Sequence, residues 1–426
     1  MLGDPAISRA LPPSTWRLML SLYISQYLGI GFFLVALVAI LRQHGESLER
    51  LSIVYLLGMV WVAKFLWAPL VDRIGFARGG HFKGWLLVMQ SGMVVVLLLI
   101  GVFDPVRDFT VVYALCLLLA LLSATQDIAI DGLACRLLPR ESRGMGNGFQ
   151  IAGGLLGNLL GAGGVLMAYP LVGWQGATSL LAIGTGLSLV QLIGFREPPH
   201  PRAPRISLSR RVWSVWRNPG GGRLLAMVAL YSVGVSLAYA LITPILVDAG
   251  WALERIGLVV NVVGTLLGVP AALCTGWLIR RVGRGVATTG AAVLQVPAIL
   301  AMSLPVLGYV DEWAVTAAMS LFFVFYNPAM VVLATLMMDR ASPESPATDY
   351  AAQYGLYQFF CILSVTAGTA LAGRIGYLPI LVASAVSGVL MAMLAPSYRH
   401  VPEGRCVASV GPESEMSPCF STGKVD

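Results

Sequence analysis

The sequence predicts an all-α membrane protein with twelve transmembrane helices, arranged as two parallel six-helix repeats. Three observations predict it. Of the 426 residues, 57% are hydrophobic and 12% are charged, and the mean hydropathy is +0.79. Soluble domains carry about twice that share of charge, because a fold of this size needs a polar rind. The apolar residues fall in runs close to the ~20 that a helix needs to cross hydrocarbon. Sequence from the first half also recurs in the second at a nearly constant offset. The first observation alone excludes a cytosolic enzyme, a disordered chain and a secreted disulfide scaffold.

The runs give spans at 18–41, 51–71, 85–103, 109–130, 145–169, 173–195, 223–247, 253–279, 285–307, 313–338, 350–372 and 377–395. The first follows Arg9 and Arg17 and is too long for a signal-peptide core, so it reads as a span and not a cleaved leader. The break between the fifth and sixth falls in Tyr169-Pro170-Leu171-Val172-Gly173-Trp174. With the N-terminus in the cytoplasm, 22 of the 28 Lys and Arg lie in cytoplasmic segments. Five lie outside, at Arg42, Arg50, Arg107, Arg255 and Arg374, and Lys64 lies within a span. That asymmetry sets the orientation, with both termini cytoplasmic. It also accounts for the net charge of +7 without a nucleic-acid partner. The acidic loop 339–349 runs against the trend, and topology gives no account of it.

The chain divides into a six-helix bundle at 1–195, a Pro- and Arg-rich linker at 196–222, a second bundle at 223–396 and a polar tail at 397–426, expected to be disordered. Trp213 and Trp216 among Arg210, Arg211 and Arg217 suit a segment lying at headgroup level, although a covalent hinge is the plainer role. Six cysteines form no CxxC pair, so no metal or cofactor is expected. The four histidines lie in loops or the tail, which argues against an integral membrane enzyme.

The repeat supplies the architecture. Ile40-Leu41-Arg-Gln-His-Gly45-Glu-Ser-Leu48-Glu49-Arg50 recurs as Ile245-Leu246-Val-Asp-Ala-Gly250-Trp-Ala-Leu253-Glu254-Arg255, with six of eleven positions identical at an offset of 205. Arg73-Ile74-Gly75 matches Arg281-Val282-Gly283, and Gln150 matches Gln358, both at 208. An even number of spans per half preserves orientation, so the duplication is parallel.

Three motifs stand out. The first is Lys64-Phe-Leu-Trp-Ala-Pro-Leu-Val-Asp72-Arg73-Ile-Gly75, echoed by Gly276-Trp-Leu-Ile-Arg280-Arg281-Val-Gly283-Arg284. Lys64 lies thirteen residues into its span, ~20 Å down at 1.5 Å per residue. An intramembrane cation is expensive. It reads as a gate or structural ion pair, a substrate or coupling residue, or a side chain snorkelling to the edge. The second motif, Gln126-Asp127-Ile-Ala-Ile-Asp131-Gly132, puts two carboxylates four apart on one helix face. Asp127 is the expected partner of Lys64, while Asp131 is expected at the membrane interface. The third, Gly153-xxx-Gly157-xxx-Gly161, is a packing ridge.

The duplication and the loop ending Asp72-Arg73-Ile-Gly75 resemble the major facilitator superfamily. That resemblance implies its fold, with a solute site between the halves. It also implies a cytoplasmic latch at Asp72 and Arg73, with Arg280 and Arg281 in the second copy. The first and fourth spans of each half line the cavity in that superfamily, offering Tyr23, Gln26, Tyr27, Gln126, Tyr231, Tyr239, Tyr326 and Asn327. Gln150, Tyr357 and Gln358, with Asn147 and Tyr354, add polar and aromatic surface on spans five and eleven. Span five lacks the Gly-Pro kink of drug-efflux antiporters.

Lys64 to Arg73, Gln126 to Asp131 and Leu138-Pro139-Arg140-Glu141-Ser142-Arg143-Gly144 resemble the muropeptide and acetyl-CoA permease branch. The resemblance implies a proton-coupled importer of the bacterial inner membrane. Tyr23-Ile-Ser-Gln26-Tyr27 and room for only twelve spans look more like the ferric-siderophore permeases of that branch. A tyrosine-rich cavity with one mid-membrane cation also suits a ferric chelate better than a carboxylate-bearing muropeptide. The expectation is therefore ferric-siderophore import, with anhydro-muropeptide import as the alternative.

Overall fold

In a computed structural model, residues 11–76, 80–198 and 220–397 are described, and all their regular elements are helical. Ten helical stretches are long and apolar enough to cross a membrane. They are α1 (Pro13–Gln43), α3 (His81–Ile100), α4 (Phe109–Leu137), one 55-residue stretch (Arg140–Gly194), α7 (Gly221–Asp248), α8 (Glu254–Val282), α9 (Arg284–Val306), α10 (Glu312–Asp339), α11 (Pro346–Ile375) and α12 (Tyr377–Leu394). The 55-residue stretch is two crossings. It breaks at Gly173, where φ is 69° and ψ is −173°, into α5 (140–172) and α6 (174–194). The remaining crossing, α2 (48–73), is the one the sequence did not foresee as irregular. It alternates Leu48–Tyr55, Met59–Ala63 and Ala68–Arg73 with 3₁₀ turns at Leu56–Gly58 and Lys64–Leu66. Pro69 begins the last piece, and its missing N–H and bulky ring explain the break at 64–67. The linker from 199 and the tail from 398 lie outside the described residues, so those expectations gain no structural account.

Helix α4 runs seven residues past its expected end at 130. The extra turns carry polar groups that are buried in protein, so hydropathy alone ended the helix too soon. The glycines of α5 pack where their spacing predicts. A Cβ at Gly153 would lie 2.7 Å from that of Tyr23, and Gly157 and Gly161 meet the backbone carbonyls of Ile24 and Leu28 on α1. Missing side chains on α5 thus let two backbones touch.

The two halves meet through α2 and α4 against α11, and through α5 against α8 and α10. These contacts gather toward the face that carries the loops at 74–80, 138–139 and 340–345, here the basic face. The elements nearest the opposite face, at 32–58 and 253–263, form no comparable cross-half pair among the described residues. The halves are therefore closed on the basic face and parted toward the other.

Gly173 is held at a backbone conformation that side chains rarely adopt, and a Cβ added there would meet nothing within 4 Å. Gly173→Val is expected to cost about 1–3 kcal/mol through backbone strain alone. Thermal unfolding of the detergent-solubilised protein checks this, with Gly186→Val as the reference, since Gly186 is equally unobstructed and has no positive φ.

Candidate functional site

The break in α2 delivers Lys64 to the middle of the molecule. The side chain is fully buried, so the snorkelling alternative fails. Its Nζ donates to Asp127 Oδ2 and lies 3.8 Å from Asp131 Oδ2. The same ammonium sits 4.3 Å from the centroid of the Tyr354 ring on α11. The expected Lys64–Asp127 pair is therefore present. The expected interfacial place of Asp131 is corrected: it is 1% exposed and belongs to the same cluster. One helical turn separates the two aspartates on α4, so a single lysine reaches both.

Asp131 is the hub of a wider network. Its Oδ1 accepts from the Tyr23 hydroxyl at 3.1 Å and from Gln150 Nε2 at 3.0 Å. Tyr350, on α11, donates to Gln150 Oε1 at 3.2 Å. Its hydroxyl also lies 3.4 Å from Asn147 Oδ1. The chain Tyr350–Gln150–Asp131–Lys64 thus runs from the second half into the first. Asp131 Oδ2 has no hydrogen-bond partner. With all three groups ionised, one cation faces two carboxylates, and one carboxylate lacks a full counter-charge.

Toward the basic face the halves are clasped twice. Asp72, at the end of α2, accepts from the backbone N–H of Ala347 at 3.3 Å and of Thr348 at 2.7 Å, and from the Thr348 hydroxyl at 2.5 Å. Those are the first turn of α11, whose N–H groups have no partner within their own helix and carry the positive end of its dipole. Asp72 therefore caps a helix of the other half. The second clasp is Asp339 at the end of α10. It accepts from Arg143 at 3.2 Å and from Arg284 Nη2 at 3.0 Å and Nε. Arg284 also donates to the Arg140 carbonyl at 2.6 Å. Between the clasps, Gly144 and Gly276 let α5 and α8 approach backbone to backbone.

This plan, two six-helix halves clasped on one face, matches known proteins. Residues 19–369 match the Major Facilitator Superfamily. The chain belongs to that family. It is 30% identical over 241 residues to the anhydromuropeptide permease of Escherichia coli K12, covering 55% of this chain and 49% of that protein. The match thus spans about half the length of that relative. Among solved structures it resembles the human organic anion transporter MFSD10 (TETRAN), with a TM-score of 0.73 and 16% identity, covering 90% of this chain and 100% of the other. It also resembles a bacterial homologue of the iron transporter ferroportin, with a TM-score of 0.66 and 16% identity, covering 91% of this chain and 99% of the other. At that identity the two structures establish the fold alone.

The facilitator fold sorts the expected cavity residues into two groups. Tyr27 faces Tyr354, Tyr354 and Tyr357 have ring centroids 5.5 Å apart, and Tyr239 stacks on Tyr326 at 5.7 Å. Tyr239 is 44% exposed. These five, drawn from α1, α7, α10 and α11, form an aromatic band spanning both halves. The Tyr357 hydroxyl contacts Met330 Sδ, and Gln358 is half-buried on the next turn from Tyr354. The other group is corrected. Gln126 Nε2 donates to the Leu22 carbonyl at 2.9 Å, which ties it to α1, while Gln26 lends only its backbone carbonyl to Ser123 of α4. Tyr231 is tied to the Thr288 carbonyl on α9, and Asn327 to Phe323 on its own helix. The side-chain oxygens of Gln26, Gln126 and Asn327 are nonetheless buried without a hydrogen-bond partner.

The expected latch residues of the second half are also corrected. Arg280 and Arg281 are exposed, and Arg281 lies over Trp277 of its own helix. Arg284, three residues on, makes the clasp. Arg73 is likewise exposed beside the buried Asp72. The sequence reading missed Asp339, Thr348 and Tyr350. The acidity of 339–349 was their signal: Asp339 holds two arginines, and Asp349 accepts from the Ser342 N–H at 2.9 Å.

Two outcomes follow from these contacts. Lys64→Met leaves two buried carboxylates without their cation, a change expected to cost about 3–5 kcal/mol. Adding Asp127→Asn should restore part of the loss, measured as a thermal double-mutant cycle. Asp339→Ala removes the acceptor between two arginines and should loosen the basic face. Spin labels on either side of α5 and α10 should report a broader and longer distance distribution than in the unaltered protein.

Proposed function

We propose that this chain is a proton-coupled secondary transporter of the bacterial inner membrane. It imports an anhydro-muropeptide-type sugar–peptide by alternating access between its two halves. The observation that carries the transport reading is the buried Lys64–Asp127–Asp131 cluster, shared with Tyr354 and Tyr350 of the opposite half. Buried intramembrane charge is costly and marks solute or proton pathways. One added proton brings the cluster to neutrality and releases Lys64 from one carboxylate. Because the cluster lies against Tyr354 and connects through Gln150 to Tyr350 of the other half, that change acts on the surface along which the halves move.

The identity with the anhydromuropeptide permease supports the substrate class and reverses the preference for a ferric siderophore. The aromatic band fits this choice. Sugar faces stack on tyrosine rings, and sugar hydroxyls and peptide amides find partners in phenol and amide groups. The scarcity of free cations, which argued against a carboxylate-bearing solute, is met by letting a proton accompany it. The distribution of Lys and Arg supports a cytoplasmic basic face, so the clasped state is the one open to the outside.

Proteoliposomes with an imposed pH gradient test the reading. Labelled anhydro-muropeptide should accumulate on acidifying the outside, and Asp127→Asn should bring gradient-driven uptake to background. Accumulation of a ferric siderophore instead would restore the other substrate. Undiminished uptake by Asp127→Asn would remove the cluster from the coupling mechanism.

A further inference from the structure

A membrane-facing groove on the first half has a shape and charge that transport does not use. It lies between α1 and α6 and consists of two adjoining cavities that share Gln191. The inner one, about 420 Å³, is an apolar slot walled by Ile24, Leu28, Leu160, Leu180 and Leu187, with Gly184 at its base. The polar atoms along it are satisfied locally. Ser21 Oγ donates to the Leu18 carbonyl at 2.9 Å and lies 3.2 Å from Gln191 Oε1, and Ser188 donates to the Thr185 carbonyl. The outer cavity, about 700 Å³, opens at the basic face between Arg17 and Arg196.

Both arginines are exposed, and neither has an ion-pair partner among the described residues. The neighbouring carboxylate, Glu197, is committed elsewhere: it accepts from Arg136 at 3.1 Å and from the Lys83 N–H at 2.7 Å. Among the described residues, two cations therefore flank the mouth with no anion between them.

The groove is long enough for an acyl chain. From Arg17 to Leu28 is eleven residues, ~16 Å along the helix. That is about half of a ~30 Å hydrocarbon core. On α6 the lining continues to Ala177, nineteen residues or ~28 Å from Arg196, so an acyl chain hung from a headgroup at the arginines lies within the slot.

We propose that this groove binds one anionic glycerophospholipid, its phosphate between Arg17 and Arg196 and one acyl chain in the slot beneath. A zwitterionic lipid fills the slot equally but leaves the arginine pair without a net counter-charge. A free phosphate answers the arginines but leaves the slot empty.

Native mass spectrometry of the full chain, titrated with phosphatidylglycerol or phosphatidylcholine, tests the proposal. One phosphatidylglycerol should remain bound under activation that strips phosphatidylcholine. Arg17→Gln with Arg196→Gln should lower phosphatidylglycerol affinity roughly thirtyfold, the worth of two surface cations. Gly184→Leu, whose Cβ would meet only Leu28 Cδ1 at 3.2 Å, should weaken both lipids by filling the slot. If the double arginine variant does not fold, Gly184→Leu carries the test alone. Equal retention of the two lipids, full retention by the folded double variant, or unchanged binding by Gly184→Leu overturns the site. Displacement of the lipid by inorganic phosphate alone would reduce it to a surface anion site and overturn it as well.

Discussion

A single buried ammonium organises the centre of this molecule. Lys64 is fully buried, and an unpaired buried cation is not tolerated in a folded protein. Its presence therefore dictates its neighbours. Helix α4 must supply a carboxylate at the same level, and it supplies two. The second carboxylate must in turn be satisfied, which recruits Tyr23 from α1 and Gln150 from α5. Gln150 then reaches Tyr350 of the other half. Five helices are tied together by the electrostatics of one side chain. Even the irregularity of α2 belongs to this chain of consequences, because the 3₁₀ turn at Lys64–Leu66 is where the lysine enters.

The clasps at the basic face obey the same rule with different parts. Asp72 has no ion pair among the described residues and uses the first N–H groups of α11. Asp339 uses two guanidinium groups, one from each half. A helix terminus and an arginine pair are both reversible partners, since water can replace either when the halves part. A hydrophobic seam of the same area would be harder to reopen. The close glycine approach of α5 and α8 complements them, because it adds contact without interlocking side chains.

Much of the fold was legible because hydrocarbon thickness imposes a length on every crossing. The spans, the parallel duplication and the Lys64–Asp127 pair all follow from one-dimensional rules: run length, repeat offset and rise per residue. What was not legible depends on burial in protein and not in lipid. Helix α4 outran its expected end because Asp131 is sheltered by other helices, a fact that hydropathy does not carry. Gln126 and Tyr231 were expected to line a cavity because their helices do. The side of a helix that a polar group faces is set by the nearest acceptor, and that acceptor lies on another element. The acidic loop was legible as an anomaly but not as a clasp, since the partners of Asp339 are 55 and 196 residues away along the chain.

Position also separates the two arginine sets of the second repeat. Arg280 and Arg281 precede Gly283, whose φ of 81° turns the chain sharply. They remain on the last turn of α8 and face outward. Arg284 follows the turn and begins α9, where its guanidinium swings back under α10 to Asp339. In the first repeat the acceptor is the aspartate at 72, before the equivalent turn, and its donors come from α11 of the other half. The second copy carries Arg280 where the first carries Asp72, and the turn differs as well: Gly283 has a positive φ, Gly75 does not, and the first loop runs on to Gly80. Asp339 joins the two copies, holding Arg284 of its own half and Arg143 of the other.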